Sequence, residues 1–246
     1  MNKVILASSL GLWDYDELGN RIPKKFSNVN GLLDVFRKYI IKYDNFLFVA
    51  SSEDSIEITD MYAKNTFKAF DLTLPFKNYE VLDIRTENNA LELLEKADFI
   101  YLCGGHVPTQ NKFFSKINLK DIIIKSNALI VGVSAGSMNC AKEVYCPPEY
   151  DEEVLNESFK KFYNGLGLTD INIIPHYSDD RYNIIGGKRY IEDIVLPDSY
   201  NNTLYAISDG DYILIDGNKK ILYGNGYKIE DGKILKLEYK KNGLQL

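Results

Sequence analysis

The sequence predicts an α/β fold: a doubly wound, mostly parallel sheet with helices on both faces and a C-terminal antiparallel β-meander. Three observations carry that expectation. Short, near-continuous apolar runs recur along the first 175 residues. Longer segments lie between them, with apolar residues three and four apart. The last quarter changes to short β-rich runs separated by Asp-Gly, Gly-Asn and Asn-Gly pairs. Strands that are apolar throughout are buried on both faces, which happens when crossover helices cover a parallel sheet. Right-handed crossovers then place ligands beyond the C-terminal ends of the strands.

Taken in order, the apolar runs 4–8, 46–50, 79–84, 99–103, 128–133 and 171–175 predict the strands. The segments 31–43, 56–70, 88–97, 109–117 and 118–125 predict the intervening helices. Segments 205–208, 212–215, 221–224, 227–229 and 234–239 predict the meander, appended to the parallel sheet through tight turns. Residues 12–30, with Trp13, Tyr15, Gly19-Asn20 and Pro23, predict a long loop near the end of the first strand.

With 45% hydrophobic and 26% charged residues over 246 positions, the chain can bury a sizeable core, and one domain spanning residues 1–246 is expected. A net charge of −6 argues against nucleic acid or an anionic membrane as a partner. No apolar run approaches the roughly 20 residues that span a bilayer. The apolar N-terminus is too short for a signal-peptide core and reads as a first strand. Cys103, Cys140 and Cys146 lack metal-ligand spacing and are expected as reduced thiols, in keeping with a cytoplasmic location. No metal or cofactor is expected.

Gly132-Val133-Ser134-Ala135-Gly136 satisfies G-x-S-x-G directly after an apolar run and before a predicted helix over 137–144. That context suits a nucleophile elbow, a strained turn that projects a serine hydroxyl clear of the sheet edge. A serine nucleophile needs a base, and the chain has two histidines. His176 ends the run 171–175 after Pro175, which fixes its backbone direction, and it is favoured as the base. His106 follows Gly104-Gly105 and is assigned to lining the pocket. The Gly105 amide is the expected second oxyanion donor beside that of Ala135. G-x-G-x-x-G and Walker spacings are missing, which excludes a nucleotide loop of those kinds.

Gly-Val-Ser134-Ala-Gly, the upstream Gly104-Gly105 and the downstream Pro175-His176-Tyr177 together resemble the dipeptidase E (aspartyl dipeptidase) family of serine peptidases. That family is related to cyanophycinase, on a fold shared with class I glutamine amidotransferases. The resemblance spans roughly residues 99–215. It implies Ser134 as nucleophile, His176 as base, and the amides of Gly105 and Ala135 as oxyanion donors. The family's acid stands fifteen residues after the serine, a position held here by Glu149; Asp151, Asp180 and Asp209 also stay open for that role. Ser134 at the elbow and Ser178 two residues after His176 point away from the Cys and His-x-Glu of the amidotransferases.

The resemblance implies hydrolysis of short peptides, with an N-terminal aspartate bearing the scissile carbonyl. A cation should then meet that aspartate, and Arg181 is the best-placed candidate, ahead of Lys112 and Arg189. The expected partner is a small peptide substrate, and dimers are common for this architecture. Two other readings stay open on the same residues: an esterase or amidase acting on small non-peptide substrates, and a catalytically silent binding protein.

Overall fold

Residues 3–246 are described by the computed structural model; Met1 and Asn2 lie outside the described residues. Five parallel strands run side by side to one edge of the larger sheet: β1 (Lys3–Ala7), β2 (Asn45–Val49), β3 (Asn78–Leu82), β4 (Phe99–Leu102) and β5 (Leu129–Val133). They lie in the order β1-β5-β4-β2-β3. Alternate residues on these strands point to opposite faces, and both faces are buried. Val4, Leu6, Leu47, Ile100 and Ile130 join one core. Ile5, Phe46, Phe48, Phe99 and Val131 join the other.

The helices divide accordingly. α1 (Leu32–Tyr39) and α2 (Ile56–Asp71) set Phe36 and Phe70 against the second core. α3 (Ala90–Lys96), α4 (Val107–Lys116) and α5 (Leu119–Ile123) set Leu94, Phe113 and Ile123 against the first. Apolar residues at three- and four-residue spacing on each helix account for this division.

The run 171–175 forms β6 (Asn172–Ile174), which does not join the main sheet as expected. It opens a second, four-stranded sheet, and the C-terminal strands divide between the two. In chain order these are β7 (Leu204–Ile207), β8 (Tyr212–Asp216), β9 (Lys219–Tyr223), β10 (Gly226–Glu230), β11 (Lys233–Lys236) and β12 (Leu244–Gln245). β8 pairs antiparallel with β1, and β9 and β12 extend that edge. β7 lies parallel to β6, with β10 and β11 beyond it. The Asp209-Gly210 pair therefore closes no hairpin. It carries the chain from one sheet to the other, with Gly210 at φ +87°, a conformation that costs glycine little.

Two further expectations change in detail. The helix after Ser134 is a single turn, α6 (Ala135–Met138). It stops early because the Asn139 side chain turns inward to Gln110 and the Val107 carbonyl, and Ala141 bridges to Thr169. The segment 12–30 contains a small hairpin, Trp13–Tyr15 with Arg21–Pro23. The Arg21 guanidinium holds it in place, 4.2 Å from the Tyr62 ring on α2.

Candidate active site

Four strand ends converge where the two sheets meet. β1 and β5 are parallel neighbours in the main sheet and end at Ser8 and Ser134; β6 and β7 are parallel neighbours in the second sheet and lead into His176 and Asp209.

Ser134 sits at φ +52°, ψ −120°, a backbone conformation that non-glycine residues rarely adopt. Its amide is held by the Ala7 carbonyl at 3.0 Å. The flanking glycines are required by contact: a Cβ on Gly136 would lie 2.2 Å from the Leu102 carbonyl oxygen, and one on Gly132 would lie 2.6 Å from the Ser137 backbone. The turn is therefore as tight as the motif predicts.

His176 also has positive φ, at +54°, immediately after Pro175. Its Nδ1 lies 2.7 Å from Asp209 Oδ1, and its Nε2 lies 3.0 Å from Ser134 Oγ. The carboxylate can only accept, so the network assigns the proton to Nδ1 and leaves Nε2 free to accept from the serine hydroxyl. Removal from water lowers the imidazole's pKa, but the Asp209 bond and charge outweigh it and leave it above its ordinary value. Burial likewise raises the Asp209 pKa, and the bonds from His176 and Ser8 more than reverse it. Both shifts favour the charged pair.

Ser8 is fully buried, and no sequence motif marks it. Its hydroxyl donates to Asp209 Oδ1 at 2.6 Å and accepts the His176 backbone N–H at 2.8 Å. One side chain at the end of β1 thus ties both halves of the imidazole–carboxylate pair to the main sheet. The available signal was its position at the end of the predicted first strand.

Glu149 does not reach His176 Nδ1, so the position chosen by ungapped spacing gives way to Asp209. Spacing counts residues along one loop, whereas the carboxylate bonded to His176 is brought there by pairing of β6 with β7. Glu149 instead lines the cavity beside Ser134. Protein around its carboxyl, with the charges of Glu153 and Asp180 and against those of His106 and His176, pushes it up to about 7. Neither Asp151 nor Asp180 takes the acid's place: Asp151 accepts the Gly186 amide, and Asp180 forms part of the cavity wall.

The cavity measures about 250 Å³, and Ser134, His176 and Gly105 are among the residues that line it. Gly105 is there because a Cβ would meet Ser51 at 2.6 Å, so its backbone passes close to that side chain. Ala135 opens α6, where first-turn N–H groups have no acceptor within the helix. His106 is not among the lining residues. Both of its ring nitrogens are engaged, with Thr109 Oγ1 at 2.8 Å and Glu153 Oε1 at 2.9 Å, and these bonds hold the ring aside.

Arg181 does not line the cavity either. Its guanidinium lies over the Tyr182 ring at 4.4 Å and donates to the Tyr182 hydroxyl. Lys112 pairs with Glu53 and Arg189 with Asp193. The three cysteines are free and buried, and burial pushes the Cys103 thiol up to about 12. Among the described residues no group of His, Cys, Asp and Glu is placed to hold a metal ion, and no helix is long and apolar enough to cross a membrane.

A hydroxyl on a strained elbow, bonded to an imidazole that is bonded to a carboxylate, defines a serine hydrolase. Comparison with known proteins makes the class more specific. The family model for peptidase family S51 matches residues 24–223, and the chain belongs to that family. It is a serine-type peptidase. An uncharacterized peptidase of Listeria monocytogenes (strain EGD-e) is 29% identical over 152 residues, which is 58% of this chain and 69% of that protein. Two solved structures share the fold. One is described as a candidate peptidase E protein from Listeria monocytogenes EGD-e, at TM-score 0.59 and 21% identity, covering 90% of this chain and 98% of its own. The other is a peptidase from an acI-B1 Actinobacterium, at TM-score 0.64 and 16% identity, covering 100% of this chain and 97% of its own.

Proposed function

We propose that the protein hydrolyses amide bonds in short peptides through a Ser134–His176–Asp209 triad and an acyl-enzyme. The observation that carries this reading is the continuous hydrogen-bonded chain from Ser134 Oγ through His176 to Asp209. His176 Nε2 takes the hydroxyl proton as Ser134 Oγ attacks the scissile carbonyl. The amides of Gly105 and Ala135 stabilise the oxyanion of the tetrahedral intermediate. The imidazolium, held by Asp209, returns the proton to the leaving amine, and the acyl-enzyme forms. Water, deprotonated by the same imidazole, then releases the acid and regenerates Ser134.

The size of the cavity supports a short substrate. At about 250 Å³ it is below the ~300–1,000 Å³ of pockets for drug-sized ligands and suits one or two residues. The aspartate preference implied by the family resemblance needs a cation at the pocket, and among the described residues no lysine or arginine lines it.

A dipeptide library tests the reading. The wild-type protein should hydrolyse a subset of it, and Ser134→Ala should lower kcat/KM on that subset by about 10⁶-fold, the scale for losing a serine nucleophile, with the melting temperature retained. Turnover undiminished in Ser134→Ala would contradict the reading.

A further inference from the structure

The residues around the nucleophile carry a charge pattern that the triad does not use. Glu149 and Asp180 line the cavity that contains Ser134 and His176, and among the described residues no lysine or arginine lines it. Asn183 Nδ2 donates to the Asp180 carboxylate at 3.0 Å, while the Glu149 backbone amide donates to Glu153. The three cations named as candidates from the sequence are committed elsewhere: Arg181 to the Tyr182 ring, Arg189 to Asp193 and Lys112 to Glu53. The rest of the wall, with Met138, Pro147, Ile185 and Tyr190, is largely apolar.

Two like charges in a partly desolvated cleft repel each other, and each is less stable there than in water. Burial raises both carboxyls above their ordinary pKa against the charge of the neighbouring histidines; Glu153 and Asp180 add to the shift of Glu149, and Asp179 and Asp209 to that of Asp180. Such a pair is relieved by a proton or by a cation. A substrate carboxylate would add a third negative charge beside them. An alkyl chain ending in a cation, by contrast, would lay its methylenes on the apolar wall and its head on the acids.

We propose that Glu149 and Asp180 make this site selective for substrates that present an ammonium or guanidinium group on the acyl side of the scissile bond. The proposal rests on Ser134 being the nucleophile of the same cavity. The cation has two chemical sources, a lysyl or arginyl side chain and the α-ammonium of the substrate, and both present the same charge to the same carboxylates.

The test is a panel of Lys-, Arg-, Leu- and Asp-p-nitroanilides, each with a free and an acetylated amine. The expected result is kcat/KM for cationic members at least about tenfold above neutral ones, with the Asp member lowest, the scale of one well-placed ion pair. A Lys-over-Leu preference that survives acetylation assigns the side chain as the source. Equal loss for Lys and Leu on acetylation assigns the α-ammonium. In Glu149→Gln and Asp180→Asn, both near-isosteric, the ratio of cationic to neutral or acetylated kcat/KM should fall several-fold. No turnover of cationic members, a preference for Asp, or a ratio unmoved in both variants would overturn the proposal. A fluorophosphonate adduct on Ser134 in the same preparation separates the two levels. If it forms while the cation preference is missing, only the specificity falls; if it fails along with all hydrolysis, the serine chemistry falls too.

Discussion

The two sheets supply the site by different means. The main sheet contributes Ser134 through local constraint: a five-residue motif, two glycines that cannot carry a Cβ, and a serine at φ +52° held by the Ala7 carbonyl. The second sheet contributes His176 and Asp209 through a long-range constraint, since 33 residues separate them and only the parallel pairing of β6 with β7 brings them together. Ser8 joins the two halves from the end of β1. The geometry of Ser134 is thus written into one stretch of chain. The pairing of His176 with Asp209 depends on how distant stretches pair.

The sharpest way to break that contrast is to exchange the candidate acids. Asp209→Asn should lower kcat by about 10⁴-fold, the scale observed when a triad carboxylate becomes an amide and the histidine loses its tautomer. If Glu149→Gln produced that collapse while Asp209→Asn left kcat within tenfold of wild type, the acid would be assigned by loop spacing after all. Steady-state kinetics on any hydrolysed dipeptide decides between them.

Ser8→Ala should have a smaller effect. It removes a bond to Asp209 and leaves the His176 N–H without its acceptor, a loss of about 1–3 kcal/mol for a buried donor. We expect about a tenfold fall in kcat together with a shift in the acid limb of the pH–rate profile. A lower melting temperature with an unmoved pH profile would reduce Ser8 to a purely structural role.

The pH dependence of the wild type should give the smallest effect. On the proposed mechanism His176 must be neutral to accept the serine proton, and Asp209 holds its pKa above the ordinary imidazole value. Activity should therefore be lost as pH falls through the raised imidazole pKa, and kcat/KM at pH 8 should exceed that at pH 6 several-fold. In Asp209→Asn the residual acid limb should move to lower pH, because the charge that stabilises the imidazolium is gone. A limb that stays in place would remove Asp209 from the histidine's electrostatics.

The legibility of the sequence follows the same division. The parallel strands and their helices are readable because most are apolar along their length or periodic around it, and both sheet faces are filled by adjacent residues. The elbow is readable because its steric demands fall within five positions. The second sheet is not, since nothing in the run 171–175 distinguishes a strand that joins the main sheet from one that begins another. The Asp209-Gly210 pair looks locally like a hairpin turn, while its role as a crossing between sheets depends on pairings to β1 and β6. Arg181 illustrates the limit for binding residues. Position along the chain placed it near His176, but two tyrosine rings that no local pattern reveals hold its guanidinium aside.

Intact-protein mass spectrometry after treatment with a fluorophosphonate measures the central claim most directly, because it reads nucleophile activation without requiring the substrate. The account predicts one adduct, mapped to Ser134, that is missing in Ser134→Ala and forms far more slowly in Asp209→Asn. A protein that stays unlabelled, or one labelled at another residue, would contradict it.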